Sequence, residues 1–395
     1  MRGALSPYML LQFLTINKSS TLLFTKMPPR RSIRIARAHE RPGRPLAASE
    51  EITPTKDREM TPLLRLGRLV AGRLVKRPSA TVRSPYVADV ALDGAGAEDV
   101  PLALAHAPAL DVGGQCIEGS EVLLLPRTGA GKTSHSIELV RGAPLRPGST
   151  GVLVGAQPRL GESIGKELLM RGYLKDELRD VLPIQLGPVT HLNDDRTSPK
   201  KKKARLEVGH DSLPSSQDGD GVEINLRREV VMGDSRVDFV MNLNDTEKKI
   251  AHQIVFEVKN VVCCDLKPGT APAKSNPGHC IIEATDSGEG YARSALFPWG
   301  RVRGQDFEGR KVVSERACKH LRNLHHLMSE NCTSVVLFIV NRSDCESIRA
   351  CHEKCPVFAN VLSEVVAAGV KAVGVRVRWT EEGDCYFDKL IPVLT

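Results

Sequence analysis

The sequence predicts a mixed α/β domain preceded by a small β-barrel. Between residues 224 and 379, the apolar patterns follow the order β-β-β-α-β-α-β, which is typical of a mixed sheet covered by helices. Ahead of this region, short apolar runs between residues 72 and 154 are separated by glycine and proline, as in small barrels. Two of the C-terminal strands also carry charged side chains among apolar neighbours, which is costly unless these side chains bind something.

The overall composition favours a polyanionic partner. The chain of 395 residues has a formal net charge of +8, and a basic balance suits a nucleic acid. Only 4% of the residues are aromatic, which argues against a single-strand binder that relies on base stacking. The 10 cysteines lack the spacing of secreted domains and predict reduced thiols. No apolar run reaches the length of a membrane span, so no membrane partner is expected.

Residues 1–60 have the composition of a leader. No acidic residue precedes Glu40, whereas basic residues, serines, threonines and leucines are frequent. We interpret this disordered segment as an organellar transit peptide, mitochondrial or plastid. A basic tail without a targeting role, or a true start at Met27, is the alternative.

Residues 61–157 are assigned to the barrel. Within them, residues 123–133 resemble a phosphate-binding loop, because Gly129 to Thr133 follow an apolar strand. Such a loop must open a helix, yet residues 133–140 alternate like a strand. We therefore predict a basic turn between two strands, and P-loop-type NTP binding is a remote alternative.

Residues 158–190 and 222–395 are assigned to the α/β domain. The first helix is predicted over residues 159–173, and it can bring Glu162 or Glu167 towards a site on the sheet. Residues 191–221 form a predicted disordered linker that contains the lysine-rich block 199–205. This block is read as a nuclear import signal, a nucleic-acid-binding arm or a solvated loop, so the nucleus is the alternative location.

The elements of the C-terminal region follow from its periodicity. Strands are predicted at 224–231, 235–243, 252–262, 334–341 and 370–379, and helices at 312–330 and 357–368. The set Cys345, Cys351, His352 and Cys355 lacks the paired spacing of a strong zinc site and is interpreted as free thiols. The histidines His320, His325 and His326 are interpreted as helix-surface groups.

The candidate site lies on the second and third of these strands. Side chains alternate between the faces of a strand, so Glu257 and Lys259 point the same way as Val255, and Phe256 and Val258 point the other way. A hairpin through residues 242–249 would bring Asp238 beside Glu257. Two carboxylates and a lysine at the mouth of a sheet can hold a divalent metal and a hydrolytic water.

Many short motifs in this region resemble the sugar fermentation stimulation protein family, in that family's order. They comprise residues 228–230, 235–239, 256–261, 295–298, 314–321, 336–340, 342–345 and 368–370. The preceding region matches more loosely. Two positions depart from the family: Trp299 replaces an acidic residue, and Ala109 and Leu110 follow Pro108 where the family has a polar turn.

The resemblance implies an OB-like barrel followed by a restriction-endonuclease-like domain. By this resemblance Asp238 and Glu257 would bind Mg²⁺ or Mn²⁺, and Lys259 would orient the attacking water or stabilise charge on the phosphate. Glu229 matches an acidic position of the family and would assist. The family is associated with DNA binding, and our candidates for phosphate contacts are Arg236, Arg316 and Lys319.

Two functions follow from this resemblance. The first is a DNA-binding protein with a metal-dependent, nuclease-like site that hydrolyses phosphodiester bonds. The alternative is a catalytically silent DNA-binding or regulatory protein that keeps the same fold.

Overall fold

The computed structural model describes most of the chain after residue 60. The described residues are 61–94, 102–107, 111–129, 131–146, 148–182, 189–193, 222–233, 235–245, 249–270, 281–284, 288, 290–302 and 304–395. The predicted leader and all of the predicted linker beyond residue 193 lie outside these ranges. None of the helices in the described ranges is long and apolar enough to cross a membrane.

Within the described ranges, short strands alternate with three longer helices. The strands are β1 (Leu64–Arg65), β2 (Val70–Lys76), β3 (Val87–Leu92), β4 (Ala103–His106), β5 (Glu121–Pro126), β6 (His135–Arg141), β7 (Leu153–Gly155), β8 (His191–Asn193), β9 (Val222–Met232), β10 (Ser235–Asp245), β11 (Ile250–Val261), β12 (Cys263–Cys264), β13 (Ser294–Phe297), β14 (Gln305–Phe307), β15 (Arg310–Val312), β16 (Cys332–Val340), β17 (Ser347–Ala350), β18 (Lys371–Trp379), β19 (Asp384–Ile391) and β20 (Val393–Leu394). The helices are α1 (Arg159–Met170), α2 (Glu315–Leu327) and α3 (Pro356–Ala367), with short turns at Asp111–Gly114 and Arg179–Val181.

Strands β2 to β6 form a closed barrel. They pair in the order β4-β3-β2-β5-β6, and a parallel pairing of β4 with β6 completes the ring. Alternate residues of these strands fill the interior, among them Leu74, Val90, Leu124 and Ile137. The predicted fold class is confirmed: a closed five-stranded, OB-like barrel is followed by a separate mixed sheet.

Residues 123–133 form the predicted turn between two strands, and the remote phosphate-loop alternative does not hold. Strands β5 and β6 pair antiparallel with Pro126 opposite His135, and the Arg127 amide donates to the Ser134 carbonyl at 2.8 Å. Thr133 therefore leads into a strand. Without a helix at this point, the loop lacks the helix N-terminus on which such phosphate sites depend.

The C-terminal domain is built on an eight-stranded mixed sheet. Its order is β1-β19-β18-β16-β11-β10-β9-β8. Strands β9, β10 and β11 form an antiparallel meander, and β11, β16 and β18 run parallel at the centre. The parallel strand β16 is apolar on both faces because helices cover both sides.

Helix α1 covers one face of this sheet, and two glycines set its distance from the strands. Leu160, Ile164 and Leu168 are buried in the core beneath it. A Cβ added at Gly161 would lie 2.7 Å from Asn260 Cβ, and one added at Gly165 would lie 3.2 Å from Val258 Cγ2. The helix can therefore lie directly on β11 only because these positions lack a side chain.

Helices α2 and α3 cover the opposite face. Ser314 caps α2 by accepting a hydrogen bond from the Ala317 amide at 3.2 Å. Pro356 occupies the first turn of α3, where its missing amide proton costs no hydrogen bond. The two helices and the sheet enclose a second core that includes Val255, Leu321 and Phe358.

The barrel and the large sheet meet at a buried charged junction. Arg293 and Arg342 are almost fully buried, and both donate to the Asp344 carboxylate. Arg293 also donates to the barrel carbonyls of Ala143 and Pro144, at 3.1 and 3.3 Å. One carboxylate thus accepts hydrogen bonds from two arginines, one of which also binds the backbone of the other domain.

Two boundaries differ from the predicted domains. Residues Leu64–Arg65, assigned to the barrel, pair with β19 in the large sheet. Residues His191–Asn193, assigned to the linker, form β8 and pair with β9. Both segments are too short for a periodic signal in the sequence.

Candidate functional site

The site forms where strands β10 and β11 separate. Their antiparallel ladder runs from Asp245 opposite Ile250 to Phe239 opposite Phe256, where it ends. Beyond that point the Val258 amide donates to Asp238 Oδ2 at 2.7 Å. The side chain of Asp238 thus replaces a backbone acceptor and marks the fork between the two strands.

Glu257 and Lys259 lie on the face of β11 that is covered by α2, as their alternation predicts. Val255 packs on that face, whereas Ile254 and Phe256 belong to the core under α1. Glu257 and Lys259 are 3% and 8% exposed. Both charged groups are therefore held in a low-dielectric environment and need partners.

Glu257 hydrogen-bonds two partners through one oxygen. Lys259 Nζ donates to Oε1 at 2.5 Å, and His320 Nδ1 hydrogen-bonds the same oxygen. Burial raises the pKa of the Glu257 carboxyl, but the hydrogen bond from His320 and the charge of Lys259 outweigh it and hold the pKa below its usual value. Glu257 is therefore ionised at neutral pH.

The pKa of Asp238 is shifted in the opposite direction. Burial and the nearby negative charge of Glu257 raise the pKa of its carboxyl to about 7, although the hydrogen bond from Val258 and the charge of Lys259 oppose this shift. Glu162 adds a further negative charge. The anionic form of Asp238 thus lacks sufficient positive charge around it.

Glu162 reaches this region because α1 lies so close to β11. It pairs with Arg228 at 2.5 Å, and the Arg228 guanidinium lies 5.9 Å from the centre of the Phe239 ring. Glu167, the other candidate on this helix, pairs instead with Arg171 at 3.1 Å. The structure therefore brings Glu162, and not Glu167, into the electrostatic surroundings of Asp238.

Glu229 lies level with Asp238 on the neighbouring strand. The pairs Arg228–Phe239 and Val230–Val237 flank this level of the ladder. Glu229 has a φ of 51°, a left-handed conformation that is uncommon outside glycine. Its carboxylate lies 3.4 Å from the Arg236 guanidinium. Among the described contacts Glu229 thus neutralises Arg236.

The three predicted phosphate-binding residues are exposed near the site. Arg236 precedes Asp238 by two residues on β10. Arg316 and Lys319 lie on α2, where Lys319 pairs with Glu315 at 2.6 Å. The Arg316 Nε donates to His320 Nε2 at 3.2 Å, so this arginine touches the site through a histidine.

The interpretation of His320 as a surface group is wrong. His320 is only 7% exposed and lies between Glu257 and Arg316. Its helical position could have indicated this, because residue 320 follows the buried Ala317 by three positions and precedes the buried Leu324 by four.

The donor set is suited to a hard divalent cation. Within the described ranges, no three His, Cys, Asp or Glu side chains are grouped so that they could hold a metal ion. Mg²⁺ and Mn²⁺ are commonly held by one or two carboxylates, with water and phosphate oxygens completing the shell. Asp238 and Glu257 match that pattern, and the raised pKa of Asp238 reflects a deficit of positive charge that a cation would relieve.

Comparisons with known proteins show that part of the C-terminal domain is similar to one protein family. The sugar fermentation stimulation protein RE domain matches residues 311–383. A sugar fermentation stimulation protein homolog of Geobacter sulfurreducens is 30% identical over 118 residues, which cover 30% of this chain and 45% of that protein. Its counterpart in a Cyanothece species is 36% identical over 106 residues, which cover 27% of this chain and 43% of that protein. The predicted resemblance is confirmed by these matches, which span somewhat less than half of those relatives.

A solved structure is also similar to this chain. It is that of Pyrococcus furiosus SfsA in complex with Ca²⁺, with 15% sequence identity and a TM-score of 0.49. The alignment covers 85% of this chain and 100% of that protein.

Proposed function

We propose that this chain, a relative of the sugar fermentation stimulation protein family, binds DNA and hydrolyses phosphodiester bonds with the help of Mg²⁺ or Mn²⁺. The observation that carries the proposal is the convergence of Asp238, Glu257 and Lys259 at the fork between β10 and β11. A structural ion pair alone would not account for Asp238, whose carboxyl is crowded against a second anion.

The two carboxylates would hold the cation, which when bound activates a phosphate and a water for hydrolysis. Glu257 is ionised and presents a fixed carboxylate. Lys259 is held by Glu257 at 2.5 Å, a position from which its ammonium can stabilise the charge that develops on a phosphate oxygen. Burial strengthens this electrostatic effect because little water screens it.

The basic residues around the site would position the DNA. Arg236 precedes Asp238 on the same strand, and Arg316 lies one helical turn before His320. Both side chains are exposed, so they can reach a phosphate backbone without unfolding the site. Contacts of this kind fix the register of the nucleic acid but carry no sequence information.

A catalytically silent DNA-binding protein is the second candidate. The observation that favours it is the internal pair between Lys259 and Glu257, which already neutralises the Glu257 carboxylate. In that case Lys259 would serve the fold rather than a reaction, and DNA would bind without being cleaved.

Cleavage of labelled duplex, single-stranded and branched oligonucleotides in Mg²⁺ or Mn²⁺ separates the two candidates. We expect cleavage by the wild type and its loss, by about 10²-fold or more, in Asp238→Asn and Glu257→Gln. Glu167→Gln is the matched control, because this carboxylate pairs with Arg171 away from the site. DNA binding that weakens with salt, without cleavage of any substrate, supports the silent protein. Equal cleavage by all four proteins contradicts the proposed site.

A further inference from the structure

A line of hydrogen bonds connects the protein surface to the buried Glu257. Arg316 is exposed on α2, and its Nε donates to His320 Nε2 at 3.2 Å. The other ring nitrogen of His320, Nδ1, hydrogen-bonds Glu257 Oε1. Arg316 and His320 are four residues apart, so the helix itself places one above the other.

The chemistry of these partners fixes the tautomer of His320. A guanidinium can only donate hydrogen bonds, so His320 Nε2 must accept with its lone pair. With Nε2 unprotonated, the one ring proton must lie on Nδ1, which hydrogen-bonds Glu257 Oε1. The imidazole proton therefore lies on the nitrogen that faces Glu257.

This tautomer in turn determines which oxygen of the Glu257 carboxylate is hydrogen-bonded. Lys259 Nζ lies 2.5 Å from Glu257 Oε1 and 3.5 Å from His320 Nδ1, so both donors converge on the same oxygen. In the described part of the chain, no hydrogen bond or ion pair reaches Glu257 Oε2. One oxygen is thus saturated while the other remains available to a ligand.

We propose that Arg316 is a positioning residue that acts through His320: it holds the imidazole as the Nδ1–H tautomer, which orients Glu257 so that Oε2 faces the candidate cation site. His320 is the second positioning residue of this line. Neither side chain needs to touch the reacting phosphate for this role.

The same line would couple the DNA surface to the site, and this part rests on the proposed function. Arg316 uses its Nε on His320, and a guanidinium has further N–H groups that can donate to a DNA phosphate. Binding of DNA through these groups would hold Arg316 in place and keep Glu257 oriented. Linkage requires that the effect is reciprocal, so a cation bound at Glu257 would change the affinity for DNA by the same factor.

The tautomer can be measured without metal or DNA. Nitrogen-15 NMR of histidine-labelled protein distinguishes a protonated from an unprotonated ring nitrogen, and His320→Asn identifies the signal. We expect an unprotonated Nε2 in the wild type and a mixture of tautomers in Arg316→Ala. A protonated Nε2 in the wild type, or no change in Arg316→Ala, overturns the proposal.

The effect on the cation is tested by calorimetric titration with Mn²⁺ in the absence of DNA. We expect about tenfold weaker binding in Arg316→Ala, the usual cost of losing an outer partner of a metal ligand. Lys319→Ala is the matched control: it removes one exposed positive charge from the same helix, but Lys319 pairs with Glu315. Equal Mn²⁺ affinities of the two variants contradict the positioning role.

These outcomes are separate from those of the proposed function. If cleavage is lost in Asp238→Asn but Arg316→Ala and Lys319→Ala bind Mn²⁺ equally well, the nuclease function is supported and the positioning role of Arg316 is contradicted. If the His320 tautomer changes in Arg316→Ala but the protein cleaves no DNA, the positioning role of Arg316 is supported and the nuclease function is contradicted. Equal melting temperatures of both variants and the wild type show that the fold is intact.

Discussion

The backbone amide of Val258 donates to the side chain of Asp238, at the level where the two strands would otherwise continue their ladder. This contact keeps β10 and β11 apart and at the same time holds a carboxylate beside Glu257. The opening in the sheet and the candidate site are therefore one structural feature.

We expect Asp238→Asn to stabilise the protein at pH 8. The asparagine can still accept from Val258, but it removes a crowded negative charge. Because the pKa of Asp238 is raised to about 7, the wild type keeps its stability below pH 4 and loses it as the pH rises through 7. The variant should be more stable by roughly 2 to 4 kcal/mol at pH 8 and no more stable at pH 4.

Urea denaturation in EDTA, at a series of pH values, measures this difference. A constant difference between the two proteins from pH 4 to pH 8 would show that Asp238 titrates normally.

Lys259→Ala should strongly slow cleavage while DNA binding persists. The ammonium is 8% exposed and is aimed at Glu257, so it contributes little to the outer surface. We expect a loss of about 10²-fold to 10³-fold in kcat, the usual cost of removing one donor that stabilises developing charge. DNA affinity, measured by fluorescence anisotropy, should change less than about twofold, since exposed basic residues supply most of the attraction to the DNA backbone. A parallel loss of affinity would assign Lys259 to binding.

Gly161→Ala should separate α1 from β11. The new Cβ would lie 2.7 Å from Asn260 Cβ, whereas the same change at Gly165 meets Val258 Cγ2 at 3.2 Å. Overpacking costs about 1 to 3 kcal/mol, and the better helix propensity of alanine offsets about 1 kcal/mol. We therefore expect a clear destabilisation for Gly161→Ala and a smaller one for the control Gly165→Ala, both measured by chemical denaturation.

Asp344→Asn should destabilise the junction between the barrel and the sheet. Burial opposes ionisation of Asp344, but Arg342 and Arg293 hold the pKa of its carboxyl at about 2. This ion pair contributes stability above pH 4 that is lost as the pH falls towards 2. Removing the carboxylate leaves two buried arginines without a counter-charge, at a cost of about 3 to 5 kcal/mol.

The control for this junction is Glu353→Gln, which breaks a more exposed pair with Arg349. Its expected cost is below about 1 kcal/mol. Similar losses in the two variants, measured by thermal denaturation at pH 7, would contradict a special role of the buried junction.

The predicted leader is tested in cells. Residues 1–60 fused to a fluorescent protein should direct it to mitochondria or plastids, and a fusion of residues 27–60 should lose that effect. Nuclear fluorescence of the full chain, lost when the lysine block at 200–203 is replaced by alanine, would favour the alternative location.

The strands and their alternation were predictable because they depend on local sequence. Glu257 and Lys259 share a face with Val255, as the period of two requires. The proximity of Asp238 followed from the hairpin. The strand that continues from Thr133 was also readable from its alternation, which is why the loop before it does not resemble a true phosphate site in context.

The partners from distant helices could not be predicted in the same way. His320 meets Glu257 across 63 residues of chain, and Glu162 meets Arg228 across 66. Such contacts depend on how closely each helix lies on the sheet, which is set by small residues such as Gly161. Sequence periodicity shows which side of a helix is buried, but not which strand residue lies beneath it.

Asn341 connects the barrel to the large sheet through hydrogen bonds. Its carbonyl accepts from the Gly155 amide of the barrel at 2.9 Å, and its side chain bonds to Asn260, the residue after Lys259, and to Trp379 at 3.1 Å. The barrel is thus linked by hydrogen bonds to the strand that carries the carboxylate. A nucleic acid that contacts both parts would therefore meet them at the spacing that these bonds set.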